Sequence, residues 1–389
     1  MSSYHLGINL GHDRSVAIVS EGEIKVAIQQ ERLDRSKHSL GYLHQFIGDN
    51  TKIQLPWESI NYCLNELNIS LEELETITAN MPGEDYSLDI LKKSLPKAIS
   101  TKLKTLPSHH LSHAYSAYWP SGFDKAIVLS IDASGSTKNN QTESYSIYTA
   151  EKNNIELLHG EKVDGHLAQL STLGFLYEYI SKKADFTTKL SNNLEVPEAG
   201  KLMGLASYGK TQEKWNAWFK NTKNSFKTEI NAYDIFLEVE ALIKQYDKGN
   251  GKAYLRNYIV DLAYKVQQEL EKVMLHLIQT AVDKTGIKNV CIAGGVGLNS
   301  VANYKILKEL CLDDIFIFPA AGDSGIAAGN ALWAYQQFEK SPKRKKMTHA
   351  YLGRPYTSKE IESSIAKFSA KIYFKKLSEK ELIQKAAEK

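Results

Sequence analysis

The sequence predicts an α/β protein of two lobes with a cleft between them, built on an internal duplication. Three observations carry this. Two separate segments repeat the series strand, polar tight turn, hairpin. The later part of the chain alternates strand, glycine turn and helix. An apolar stripe at i+3/i+4 spacing from Val260 to Thr280 marks a long helix able to cover a sheet.

The elements follow in order. Tyr4–Asn9 is an apolar run leading into GHD at Gly11–Asp13. Ser15–Ser20 and Glu23–Gln29 read as strands around Glu21 and Gly22, which makes a three-strand meander. QQERLDRSKHS (Gln29–Ser39) then gathers Glu31, Arg32, Arg35, Lys37 and His38. Such a run is either a solvated face or one wall of a cleft that reads a charged substrate. Pro107 and Ser108 open a helix at His109, with Ser108 as its N-cap. The second copy starts at Ala126–Ile131, continues through DASGS, and pairs Tyr145–Ala150 with Asn154–His159. EAGKLMGLASYGK (Glu198–Lys210) is glycine-rich and lacks amphipathic periodicity. It is either a loop over a phosphate, with Lys201 as the cation, or a solvated turn.

The long helix carries Ile259, Leu262, Val266, Leu270, Val273 and Leu277 on one side. Lys288–Ala293 is a strand, AGGVGLN (Ala293–Asn299) a turn, and a helix starts at Ser300. Asp314–Phe318 is a strand, PAAGDSG (Pro319–Gly325) a turn, and a helix from Ser324 runs to about Gln337. SPKRKK (Ser341–Lys346) reads as a basic, solvated linker, and a fresh element begins at Ala350–Leu352. The expected division is 1–340, with lobes of about 1–120 and 121–340, then a linker at 341–349 and a second domain from 350. The chain stops at LIQKAAEK, inside a helical stretch from near Ser378 with no evident cap. That pattern fits a shortened chain, a split protein or a frayed tail.

Composition excludes several classes. A net charge of +3 gives no global field for nucleic acid or anionic membrane. The lysine-rich runs at 92–104 and 343–346 lack interleaved aromatics, so they read as solvated rather than as a nucleic-acid surface. No apolar run approaches the length that spans a bilayer, and no secretory leader pattern is present. Cys63, Cys291 and Cys311 lie far apart without CxxC spacing, which fits buried thiols in a reducing cytoplasm.

The chemistry concentrates in a few places. His109 and His113 are one helical turn apart, so both rings can face one ion. Asp132 ends an apolar strand, where a carboxylate needs a partner. Two imidazoles with carboxylates suit Fe(II), Zn(II) or Mn(II). The competing reading makes the histidines surface or supporting residues beside Tyr115, Tyr118 and Trp119. AGGVGLN and PAAGDSG each join a strand to a helix, a setting that admits an anionic ligand. Neither is a Walker loop or a dinucleotide fingerprint. Two in tandem favour a nucleotide cleft over two ordinary turns.

Taken together, five blocks resemble the O-carbamoyltransferases of the nodulation (NodU) and cephamycin (CmcH) type. They are GHD with ERLDRSKH, HHLSHAYSAYWPSGFDKA, EAGKLMGLASYG, GGVGLN and PAAGDSG. The resemblance covers about residues 4–335. It implies a duplicated ribonuclease-H-like fold, shared with actin and sugar-kinase ATPases, followed by a YrdC-like C-terminal domain. LGRPYTSKEI (Leu352–Ile361) is similar to the opening of that domain, of which only the start would be present.

The activity so implied moves a carbamoyl group to a hydroxyl of a small-molecule acceptor, in natural-product biosynthesis. The donor is carbamoyl adenylate, made from carbamoyl phosphate and ATP by the YrdC-like domain, here supplied as a separate domain or subunit. The metal ligands map onto His109, His113, Asp132 and Asp323, with iron as the expected ion and zinc or manganese as alternatives. Nucleotide contacts map onto Gly294, Gly295, Asn299, Gly322, Ser324, Lys201 and Gly135. His12 maps onto the base, and Arg32 and Lys37 onto oxyanion or phosphate stabilisation. The acceptor pocket would draw on the insert near 165–250, and a homodimer is a further expectation.

One block departs from the pattern. The family shows DGxGE after the strand-end aspartate, and this chain has DASGS, with Ala133 and Ser136 replacing a glycine and an acid. Two other readings share the fold: a threonylcarbamoyl transferase acting on tRNA adenosine, and a non-catalytic actin-like nucleotide-binding regulatory subunit.

Overall fold

Two sheets repeat one strand order. The computed structural model describes residues 3–39, 55–84, 88–165, 171–190, 195–212, 215–230, 232–246, 251–368 and 370–389. Strands β1 (Tyr4–Asn9), β2 (Ser15–Ser20) and β3 (Glu23–Gln29) form an antiparallel meander. β4 (Leu74–Asn80) joins parallel to β1, and β5 (Gly83–Glu84) follows it in the chain. β6 (Leu103–Lys104) lies parallel to β4, so the sheet order is β3-β2-β1-β4-β6.

The second sheet begins the same way. β7 (Lys125–Ile131) leads through a short β8 (Ser136–Lys138) to β9 (Gln141–Glu151), antiparallel to β7, and β10 (Asn154–Asp164), antiparallel to β9. Two small hairpins, β11 (Thr187–Lys189) with β12 (Glu195–Pro197) and β13 (Phe219–Asn221) with β14 (Thr228–Ile230), intervene. β15 (Asn289–Ala293) then pairs parallel to β7, and β16 (Asp314–Ile317) parallel to β15. A three-strand meander followed by two parallel strands on the far side of its first strand thus occurs twice. This is the duplicated α/β arrangement that the sequence predicts. The hairpin of the second copy is longer than its apolar alternation predicted, and a short strand, β8, begins at Ser136, the last residue of DASGS, where no strand was expected.

The parallel connections require helices. Trp57–Leu67 packs Ile60, Cys63 and Leu64 under the first sheet. Asn257–Thr285 lays the Leu262–Leu277 stripe on the second sheet, extending the expected helix at both ends. The His109–Ser121 and Ile326–Phe338 helices are buried on nearly every side. They cross at Gly329, where a Cβ would stand 1.9 Å from the Ser112 carbonyl oxygen. The helix after PAAGDSG starts at Ile326 rather than Ser324, because Asp323–Gly325 is a 3-10 turn.

The chain divides after Leu352. The Ser341–Lys346 run is not uniformly solvated: Arg344 packs over the Tyr118 ring, 3.8 Å from its centre. The second unit, Gly353–Lys389, holds helices Ser358–Ala366 and Glu379–Ala387. Each opens with a reciprocal cap, Thr357 with Glu360 and Ser378 with Glu381, so the closing helix does have an N-cap. Cys63 and Cys291 are buried thiols, whereas Cys311 is exposed. Among the described residues no helix is long and apolar enough to cross a membrane.

Candidate metal centre

Ser108 caps the helix that starts the site, its Oγ accepting from Leu111 N at 3.2 Å. His109 and His113 follow on one face and are fully buried. Their Nε2 atoms are 3.1 Å apart. Asp132, just past β7, brings Oδ2 to 3.1 Å from His113 Nε2 and 3.9 Å from His109 Nε2. Asp323 brings Oδ1 to 3.5 Å from both rings. One donor atom from each of the four residues lies within 4.8 Å of all the others.

These separations fit a common ion. Donors about 2.1 Å from one centre lie about 3.0–3.5 Å from one another. Without a cation or a shared proton, the two buried carboxylates would repel each other, and so would the facing lone pairs of the two rings. One second contact fixes a tautomer: His109 Nδ1 lies 3.1 Å from Asn80 Oδ1, and an amide oxygen only accepts. The hydrogen therefore sits on Nδ1, and Nε2 offers its lone pair to the centre. Asp132 Oδ1 accepts from Ala133 N at 2.8 Å, which leaves Oδ2 for the centre.

The local field points the same way. Burial alone would lower His109, yet Asp323 and Asp132 outweigh it and lift the ring to about 9. Burial and the facing Asp323 would raise Asp132, but hydrogen bonds from His109 and His113 hold it below the usual carboxylate range. A field that keeps a proton on the buried His109 ring will accept a divalent cation in its place. The histidines are thus buried rather than on the surface, in a group that could hold a metal ion.

His12 reaches the rim of the cluster. Its Nε2 is 3.1 Å from Asp323 Oδ2 and its Nδ1 is 2.7 Å from Asp13 Oδ2, with 46% of the side chain exposed. Asp13 Oδ1 in turn meets His38 Nδ1 at 2.8 Å. Burial would lower His12, but Asp323 and Asp13 raise it to about 10. The charged patch therefore folds over GHD, and Asp13, Arg35, His38 and Ser39 all take positive φ there. Lys37 Nζ bonds Glu198 Oε1 at 3.1 Å, and Lys201 pairs with the other oxygen of Glu198. Lys201, Thr188 and Lys37 together hold Glu198 at about 2. Arg32 is 66% exposed and, among the described residues, meets only Glu31, at 3.6 Å.

The two glycine turns meet beside Asp132. Gly294 N donates to Ala321 O at 2.8 Å, and Gly322 lies against Gly295. Gly294 has φ +93°, and a Cβ on Gly295 would stand 2.8 Å from Asp132 Oδ1. Ser324 sits inside the 3-10 turn that carries Asp323. The Asn299 amide is occupied within the protein: Oδ1 accepts from Ala302 N and from Gln267 Nε2, and Nδ2 donates to Gln267 Oε1. It fastens AGGVGLN to the long helix. Gly135 lies against Glu143 and His110.

Three useful residues carried no sequence signal. Asn80 ends β4 beside Asn9 at the end of β1, a pairing visible only once the strands are in register. Glu143, on β9, accepts from Ser108 Oγ at 2.6 Å and Ser136 N at 2.9 Å. A carboxylate thus stands at the DASGS turn although Ser136 is no acid. Ser136 Oγ accepts from His109 N at 2.9 Å. Glu178, on the Leu173–Lys183 helix, is lifted to about 7, first by burial and then by Asp132 and Asp323, against His12 and Lys182.

Comparison with known proteins shows the family of the chain. The sequence model described as Carbamoyltransferase N-terminus matches residues 62–332. The Synechocystis protein titled Uncharacterized protein sll1178 is 30% identical over 429 residues, covering 97% of this chain and 64% of its own length. The nodulation protein NolNO of Sinorhizobium fredii is 27% identical over 371 residues, covering 88% of this chain and 49% of its own. This chain therefore spans only part of either relative. Among solved structures, HypF of T. kodakarensis aligns over 85% of this chain and 47% of its own, with a TM-score of 0.49 and 16% identity. The (R)-2-hydroxyglutaryl-CoA dehydratase component A of Acidaminococcus fermentans aligns over 86% and 98%, with a TM-score of 0.47 and 18% identity.

Proposed function

The chain belongs to the carbamoyltransferase N-terminus family, and from that premise we propose that it performs the transfer half of an O-carbamoyl transfer. The donor is carbamoyl adenylate and the acceptor a small-molecule hydroxyl. Synthesis of the donor from carbamoyl phosphate and ATP falls to a YrdC-like domain or subunit. The observation that carries this reading is the buried convergence of His109, His113, Asp132 and Asp323.

Those four residues would hold a divalent ion, with Fe(II) preferred for an imidazole and carboxylate set. When bound, the ion supplies Lewis acidity toward a carbonyl or phosphate oxygen. The remaining work falls to the protein. The acceptor oxygen bonds to the carbamoyl carbon, the bond from that carbon to the phosphate oxygen breaks, and AMP leaves with the electron pair. The hydroxyl proton needs an acceptor at the rim. His12 stands there, oriented by the Asp13–His38 pair; Asp323 and Asp13 hold it protonated at about 10, and a cation neutralising Asp323 would release that proton so that the ring could accept the acceptor's. The leaving phosphate needs donors, and the Gly294–Gly295 and Gly322–Asp323 turns offer backbone beside Asp132. Lys37 and Lys201, both paired with Glu198, would supply cations for the same phosphate.

The test is elemental analysis of chelator-free protein, with transfer assayed after adding a YrdC-like partner, carbamoyl phosphate, ATP and candidate alcohols. One Fe, Zn or Mn per chain and carbamate formation abolished by His109→Ala are expected. Metal-free protein that still transfers, or transfer unchanged in His109→Ala, overturns the reading.

A further inference from the structure

A cavity of about 410 Å³ opens on the face of the second sheet that looks away from the His109–Ser121 helix. Ser130 Oγ bonds His110 O on the helix side, so its neighbour Ile131 faces the other way and lines the cavity. The volume suits one small organic molecule. The wall contains a largely buried residue whose hydroxyl has no partner among the described residues. Ser144 is 5% exposed, lines the cavity, and its hydroxyl meets no described residue. A buried hydroxyl left unpaired is unfavourable, and a ligand hydroxyl would satisfy it.

Charge narrows the ligand. Among the described residues the lining holds three carboxylates, Glu161, Asp164 and Glu229, against the single ammonium of Lys227, which pairs with Glu229 at 3.5 Å. That excess disfavours phosphates and nucleotides and favours a cation. The occupant is therefore a hydroxylated small molecule bearing a protonated amine, chemically unlike the anionic donor.

The cavity also abuts the parts that position Asp132. Ile131 lines it and is bonded to Asp132, a metal-centre residue. Leu173 lines it and follows Thr172, whose Oγ1 donates to Ala133 O at 2.7 Å. The next residue, Gly174, presses on the Ala133 backbone, where a Cβ would stand 2.5 Å away. We propose that this cavity is a regulatory site for a hydroxylated amine, whose occupancy is felt at the metal centre through Asp132 and the turn that follows it.

The experiment uses the full chain, with glucosamine, N-acetylglucosamine and glucose 6-phosphate as probes in calorimetric titrations. Glucosamine is expected to bind at least about tenfold more tightly than its neutral counterpart, as one lost charge contact predicts, and the phosphate not at all. Saturating glucosamine should change the affinity for Fe(II) or Zn(II) by about fivefold or more. Ser144→Leu fills the cavity and should abolish binding. Glu229→Lys alters only the exposed rim and should weaken glucosamine binding in a fully folded protein. No glucosamine binding, binding that survives both substitutions, or a metal affinity indifferent to the sugar each overturn the proposal. The coupling arm rests on the metal centre proposed above, whereas glucosamine binding and its loss in the two variants are read without metal, so either reading can fail alone.

Discussion

Gly329 and Ser112 meet where the two central helices cross, with no room between them for a single methyl group. Ser112 Oγ also donates to Ile326 O at 2.9 Å. His109 and His113 flank Ser112 on one helix, and Asp323 lies just before the other. The crossing thus sets how far the imidazoles stand from Asp323. Gly329→Ala should force the helices apart, lowering stability by about 1–3 kcal/mol. It should also drop bound metal well below one per chain. Urea unfolding and elemental analysis check the two effects together. Full metal content in the variant would show that the crossing does not set the ligand spacing.

Asn80 acts on the centre through His109. Its amide oxygen holds the Nδ1 hydrogen and so presents Nε2. Asn80→Ala should leave one metal per chain but weaken its affinity by about 10–100-fold. His109→Ala should remove the site itself. Competition against a chelator of known affinity separates these outcomes, and equal affinity in wild type and Asn80→Ala would remove Asn80 from the centre.

The sequence shows the centre better than it shows what supports the centre. Helical spacing put His109 beside His113, and the end of an apolar strand exposed Asp132 as anomalous. Asp323 sits in a glycine turn far along the chain, and only the resemblance joined it to the others. The supporting residues were invisible for a physical reason. Asn80 and Glu143 act across strand pairings whose register no local pattern reveals, and Glu178 lies on a helix with ordinary amphipathic spacing. The duplication was legible because each copy keeps its meander local. The parallel strands β15 and β16 return to β7 only through tertiary packing. Arg32 shows the opposite case, a charged residue in a conspicuous patch that contacts only its neighbour Glu31 among the described residues.

Glu178 gives a pH signature. Burial, then Asp132 and Asp323, raise its carboxyl from 4.5 to about 7. The native state therefore holds a proton that the unfolded chain has released between those values. Stability from this group is complete below pH 4.5 and is lost as pH rises toward 7. Glu178→Gln carries no such proton, so its stability should fall less steeply over that interval. Urea midpoints of the metal-free proteins at intervals from pH 4.5 to 7.5 check this. Parallel wild-type and variant profiles would show that Glu178 titrates normally.

Arg344 ties the end of the His109–Ser121 helix to the strands beside it. Nη2 donates to Tyr118 O at 2.8 Å, while Nη1 donates to Phe123 O at 2.8 Å and Lys152 O at 2.9 Å. The guanidinium also stacks on the Tyr118 ring. A cation over the last carbonyls of a helix complements its dipole, and the planar fork serves several acceptors at once. Burial lowers the Arg344 pKa, yet arginine stays charged at any working pH. Arg344→Ala should lower stability by about 2–3 kcal/mol, the range for hydrogen bonds to a charged group. Arg344→Lys keeps the charge but has a point donor in place of the fork, so it should recover less than half of that loss. Thermal and urea unfolding of the three proteins decide the matter. Full recovery by lysine would mean that charge alone, not the geometry of the fork, holds this end of the helix.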